Sequence, residues 1–122
     1  MMDITLKVKP AKFCSTDVIK GVISVSYPGR YDGIVINAQV LDSNHHIVYT
    51  SYNGKNISNI ARLFIPHSDV IDNSAEFEAE AKFEADRSYE VKFRASIIEQ
   101  HKEVDSTIVF VEYTSGSSSK IR

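Results

Sequence analysis

The sequence predicts an all-β fold, an antiparallel β-sandwich of seven to eight strands. Three observations carry this expectation. Apolar and polar residues alternate with period two over most of the chain, turn residues interrupt the alternation at short intervals, and no segment supports a long helix. The alternation is clearest in Ala75-Glu76-Phe77-Glu78-Ala79-Glu80-Ala81-Lys82-Phe83, where every odd position is apolar and every even one charged. Ala, Glu and Lys favour helices. A helix, however, would spread those apolar positions around its circumference, whereas a strand collects them on one face.

The predicted strands follow in order. Strand A covers 3–9, with Ile4, Leu6 and Val8 on one face. Strand B covers 17–27, with Ile19, Gly21, Ile23, Val25 and Tyr27 inward and Val22 outward. Strand C (33–42) carries Ile34, Ile36, Ala38 and Val40, followed by C′ at 46–52 and D at 60–65. Strand E covers 75–83. Strand F (89–98) alternates Tyr89, Val91, Phe93, Ala95 and Ile97 with Glu90, Lys92, Arg94 and Ser96; G covers 104–113. Pro10, Pro28-Gly29, Asp42-Ser43-Asn44, Asn53-Gly54, Pro66 and Asp72-Asn73-Ser74 stand where strands should stop. Ile23, Ile36 and Val91 are the expected core. Glu76, Glu78, Glu80 and Glu90 are expected in water, with Lys92 and Arg94 pairing with them across strands.

Tyr89 opens strand F after Asp86-Arg87-Ser88. That is the place of a tyrosine corner, a hydroxyl bonded back to upstream backbone, and it favours an immunoglobulin-like sandwich over a barrel. With a single cysteine, Cys14, no internal disulfide can form, which suits a reducing compartment. At 122 residues the chain is expected to be one domain, 1–114, with 115–122 as a flexible Ser-rich tail.

The composition, with 43% apolar and 25% charged residues and a formal charge of −2, is globular and offers no basic stripe for nucleic acid. No run approaches the roughly 20 apolar residues of a membrane helix. Nor does the start, Met1-Met2-Asp3-Ile4-Thr5-Leu6-Lys7, hold the apolar run of a secretion signal. The expected location is the cytoplasm.

Two stretches resemble arrestin-like domains. Ile4-Thr5-Leu6-Lys7-Val8, Lys12-Phe13 and Asp17-Val18-Ile19-Lys20-Gly21-Val22-Ile23-Ser24-Val25 are similar to that family's opening strands, and Ser88-Tyr89-Glu90-Val91-Lys92-Phe93 to a later one. The resemblance covers about half the chain. The chain holds one sandwich where arrestins pair two, and Ala95-Ser96-Ile97-Ile98 stands in place of the family's Leu-Pro ending. The resemblance implies a non-catalytic adaptor or scaffold and transfers no functional residue.

Motifs for catalysis or cofactors are lacking: no Gly-rich phosphate loop, G-x-S-x-G or C-x-x-C occurs. His45-His46 would point to opposite faces of a strand, so a shared metal is not expected. A C2-like calcium site would draw on Asp32, Asp69, Asp72 and Asp86, which lack D-x-D spacing. The chain is thus expected to be no enzyme, to need no cofactor or metal, and to bind protein. The B–C, D–E and F–G loops should gather at one pole, bringing together Arg30, Tyr31, His67, His101 and Lys102. Arg and Tyr are favoured interface anchors. The opposite pole, with Cys14 and the 42–46 turn, is expected to lack such a pair. The rival reading is a subunit of a larger assembly, a homo-oligomer included, joined through an exposed strand edge.

Overall fold

The computed structural model describes residues 3–115 and shows two five-stranded sheets packed face to face. The expected tail, 115–122, lies outside the described residues apart from Ser115. The first sheet runs β1 (Ile4–Lys9), β3 (Ile19–Val25), β8 (Ser74–Glu80), β5 (Val48–Tyr52), β6 (Lys55–Ile60). The second runs β2 (Lys12–Phe13), β10 (Lys102–Tyr113), β9 (Tyr89–Glu99), β4 (Gly33–Val40), β7 (Arg62–Pro66). A single 3-10 turn, His67–Asp69, precedes β8. The all-β sandwich is therefore as the alternation predicts.

Burial follows the period-two pattern. Ile19, Gly21, Ile23 and Val25 of β3 are buried, as are Ala75, Phe77 and Ala79 of β8 and Val91, Phe93, Ala95 and Ile97 of β9. Ile23, Ile36 and Val91 are fully enclosed. At the centre, Phe77 lies between Tyr49, at 5.4 Å between ring centroids, and Phe93, at 5.9 Å. Gly21 pairs with Phe77 across the β3–β8 ladder. Its missing side chain leaves room for that ring, since a Cβ on Gly21 would stand 2.2 Å from Phe77 Cζ. The Tyr49 hydroxyl reaches from one sheet to the other and donates to the Ile36 carbonyl at 3.2 Å. Burial holds that phenol far above its ordinary pKa.

Four expectations are corrected. In an immunoglobulin-like sandwich the labels C′ and D stand for strands beside C and E; here the segment named C′, as β5, lies beside β8, and the segment named D, as β7, beside β4. Residues 55–59, which no predicted strand covers, join Ile60 in β6, because Asn53 and Gly54 take the two positive φ angles (48° and 84°) of a tight hairpin turn. The chain then crosses between sheets at Ala61, itself at φ 66°. Strands E and F do not pair, since β8 and β9 lie in different sheets. Glu78 instead faces Lys20 of β3 at 3.9 Å, and Arg94 pairs with Glu103 of β10. Finally, the hydroxyl-to-backbone bond expected of Tyr89 belongs to Tyr113, whose oxygen accepts from the Ala85 N–H at 3.1 Å. The Tyr89 ring sits edge-on to His45 at 5.6 Å and under the Arg87 guanidinium at 4.8 Å.

Candidate functional site

The three loops expected at one pole meet there. Asp32 is the joint: its N–H donates to the Ile98 carbonyl at 2.6 Å, and its own carbonyl accepts from the His67 N–H at 2.9 Å. Its carboxylate accepts from the His101 N–H at 3.3 Å. The β9–β10 turn is tight because Gln100 and His101 both adopt positive φ, 52° and 67°. Tyr31 is half-buried, edge-on to His67 at 4.6 Å and to Tyr27 at 6.2 Å. Burial raises the Tyr31 phenol. The Tyr27 hydroxyl donates to Glu99, and that bond raises the Tyr27 phenol. Arg30 and Lys102 are exposed. The pole thus carries Tyr27, Tyr31 and His67 in successive edge-on contacts, with Arg30 and Lys102 exposed in its loops.

The opposite pole also holds an arginine–tyrosine pair, contrary to expectation, in Arg87 over Tyr89. His45 stacks flat on Phe83 at 4.2 Å there, and Phe83 packs on Tyr113 at 4.7 Å. These contacts give His45 a packing role. Cys14 is buried, its N–H bonded to Asp17 Oδ2 at 2.9 Å.

Among the described residues, no group of three or more His, Cys, Asp or Glu side chains is placed to hold a metal ion. Asp69, one of the four aspartates considered for calcium, instead clamps the β5–β6 hairpin. Its carboxylate accepts from the Tyr52 hydroxyl at 2.8 Å and pairs with Lys55 at 3.3 Å. The Tyr52 bond and the Lys55 charge hold Asp69 below the usual carboxylate range. On the outer face of the first sheet a trough of about 600 Å³ has Lys7, Lys9 and Lys20 along one side and Glu76 and Glu78 along the other. Its charges answer each other across neighbouring strands.

The rival reading expects an exposed strand edge, which the sequence did not place. Two strand edges carry the charges or prolines that block further strand pairing: β1 has Lys7, Lys9 and the following Pro10, and β7 has Arg62 and Pro66; the β6 edge has Lys55 at its start, bound to Asp69, and then uncharged Asn56–Ile60. At the fourth edge, among the described residues, β2 pairs with β10 at Glu112 and Tyr113. Beyond it runs Ser106-Thr107-Ile108-Val109-Phe110-Val111, with no charge and no proline. The Glu112 and Thr114 N–H groups point off this edge, to the Ala11 and Phe13 carbonyls. By strand alternation the N–H and C=O of Ile108 and Phe110 point the same way. On β9 the Glu90 and Ile98 carbonyls bond toward β4, so its odd residues are the ones that serve β10. The two ladders therefore agree. Ile108 is 46% exposed, Phe110 52% and Val104 42%. Where β2 starts, a depression of about 410 Å³ opens between Ala11, Lys12, Tyr89 and Phe110.

No protein-family model matches the chain, and no curated protein does. Solved structures do. The E. coli adhesin CfaE is similar at a TM-score of 0.60 and 9% identity, over 92% of this chain and 48% of the adhesin. The chain thus spans about half the length of that protein. A conjugative transposon lipoprotein from Bacteroides eggerthii matches at 0.52 and 9% identity, over 91% and 96% of the two chains. AvmM, which catalyses macrocyclization in alchivemycin A biosynthesis, matches at 0.54 and 5% identity, over 92% and 89%. At such identities the likeness shows the immunoglobulin-like sandwich fold; it does not carry the arrestin label.

Proposed function

We propose that this chain is a non-catalytic protein-binding or assembly module that docks its partner on the open edge of β10. The observation that carries the reading is the uncharged run at 106–111, where, among the described residues, the off-edge backbone groups of Ile108 and Phe110 meet no strand and lie beside their exposed side chains. Such an edge offers main-chain hydrogen bonds to an extended segment and apolar contact to its side chains. The absence of a disulfide supports a cytoplasmic setting. An adaptor role related to arrestin-like domains rests on the resemblance of Ile4–Val8, Lys12-Phe13, Asp17–Val25 and Ser88–Phe93 alone.

A second reading places the partner on the loop pole, favoured by Tyr31 packed on His67 with Arg30 and Lys102 free to contact it. Capture from the native cell separates the two. The double substitution Ile108→Lys, Phe110→Lys changes only exposed positions, so the protein should stay folded by circular dichroism and lose its captured partner. If the folded variant captures as well as the parent, and Arg30→Ala with Lys102→Ala does not, the pole is the surface and the edge reading fails.

A further inference from the structure

The edge reading leaves the occupant unnamed, and the inference here rests on that reading. We propose that the occupant of the β10 edge is β10 of a second copy of this chain, paired antiparallel across a two-fold axis at Thr107.

The bounds of the open stretch set the register. At one end, a bulge between Glu103 and Asp105 interrupts the β9–β10 ladder. At the other, the Ala11 carbonyl takes the Glu112 N–H and β2 closes the edge. The open stretch is 104–110, centred on Thr107. β1 flanks it from the facing sheet, tied on by the Asp3 N–H donating to Asp105 Oδ2 at 2.7 Å, and gives no backbone bond to Ile108 or Phe110. A strand in this place can lie against β10 as far as β2 and no farther. A second β10 running antiparallel fills it from end to end with Val104 opposite Phe110 and Ser106 opposite Ile108, each pair occurring twice. In this register Ser106 and Ile108, which lie on the regular side of the bulge and whose backbone groups point off the edge, face one another, as an antiparallel ladder needs.

The exposed side chains agree with that choice. Val104, Ile108 and Phe110 are the exposed large apolar residues of β10, and antiparallel pairing brings all three to the seam in both copies. The Ser106 N–H bonds to its neighbour Asp105 Oδ1 at 2.9 Å, and this local bond would yield to the ladder. A contact this short lies below the roughly 1,200 Å² that stable complexes bury. The pair should therefore come apart on dilution.

Sedimentation velocity over a concentration series should show a monomer moving toward a dimer, and Ile108→Lys with Phe110→Lys should keep the protein monomeric. Register is read by disulfide exchange. Directly paired residues in such a ladder have Cα atoms about 5.5 Å apart, within the reach of a disulfide. A mixture of separately prepared Ser106→Cys and Ile108→Cys proteins should form the mixed disulfide in several-fold excess over either like pair. A dimer that survives the double lysine variant, or like pairs that form as readily as mixed ones, overturns the proposal. A protein that stays monomeric throughout also overturns it. In that case, capture that still depends on Ile108 and Phe110 keeps the docking edge with a foreign strand as its occupant, and capture indifferent to them removes the edge reading too.

Discussion

Gly21 is where the packing argument can be tested most sharply. It lies on the inner face of β3 opposite Phe77. A methyl group there would stand 2.2 Å from Phe77 Cζ, 2.3 Å from Cε2 and 2.9 Å from Cε1. Carbon atoms rest about 3.5–4.0 Å apart, so the ring would have to retreat by more than about 1 Å. Tyr49 on one side and Phe93 on the other leave it no open direction. Overpacking of this kind costs about 1–3 kcal/mol. The smaller unfolded-state entropy of alanine returns roughly 0.4–1 kcal/mol, so the net change runs from about 0 to 2.6 kcal/mol and Gly21→Ala should destabilise by about 1.3 kcal/mol at the middle of that range. Urea denaturation followed by circular dichroism measures it. Phe77→Leu removes the obstacle, and the double variant should be more stable than the sum of the single losses by at least about 0.5 kcal/mol. A Gly21→Ala protein with an unchanged or raised midpoint would refute the placement of Phe77 against β3.

Two further outcomes follow from named hydrogen bonds. Tyr113→Phe should destabilise by about 1 kcal/mol, the typical net value of a buried hydrogen bond, while Tyr89→Phe should stay within about 0.5 kcal/mol; chemical denaturation of both variants ranks them, and the reverse order would return the corner to Tyr89. Asp69 has a lowered folded pKa, so its contribution is fully present above the unfolded carboxylate value, about 3.9, and is lost as pH falls through the lower folded value. Asp69→Asn should flatten that part of the acid limb of the urea midpoint and leave its slope near neutrality unchanged; an unaltered acid limb would show that the Tyr52–Asp69–Lys55 clamp is not linked to folding.

Which residues face inward was legible, because a half-buried strand writes its burial into alternate positions. Ile19 to Val25, Ala75 to Ala79 and Val91 to Ile97 read directly. Sheet membership was not, because it is decided by pairing between distant segments. Val48–Tyr52 and Arg62–Pro66 each look like a strand after C, and only the Asn53-Gly54 turn, the intervening β6 and the crossing at Ala61 send the first to β8 and the second back to β4. β6 itself has little apolar alternation, since its residues are mostly exposed. The corner bond was assigned to the wrong ring for a related reason. Tyr89 and Tyr113 are directly paired neighbours on β9 and β10, and which hydroxyl meets Ala85 depends on how the 81–88 segment folds over that end. The pole was legible in its loops, since Tyr31, His67 and His101 come together as the strand order requires. The sequence could not show Asp32 as their joint, because an exposed aspartate in a turn gives no sign of what it will bond.

The β10 edge shows why function was harder to read than fold. A run such as Ser106 to Val111, charge-free and β-branched, is what a strand buried inside a sheet looks like, and in the sequence it gives no reason to stop. Only the topology makes it informative, by pairing one side of the strand with β9 and leaving the other to a two-residue partner. Elsewhere lysine, arginine or proline interrupts the β1 and β7 edges, while Asn56–Ile60 of β6 also lacks charge and proline; β10 differs in presenting Ile108 and Phe110, both exposed, at successive outward positions of its edge. If the open stretch were an accident of composition, placing Lys at Ile108 and Phe110 should leave every association of the protein intact while improving its solubility. If it is a docking edge, the same two lysines should remove an association and leave the fold untouched.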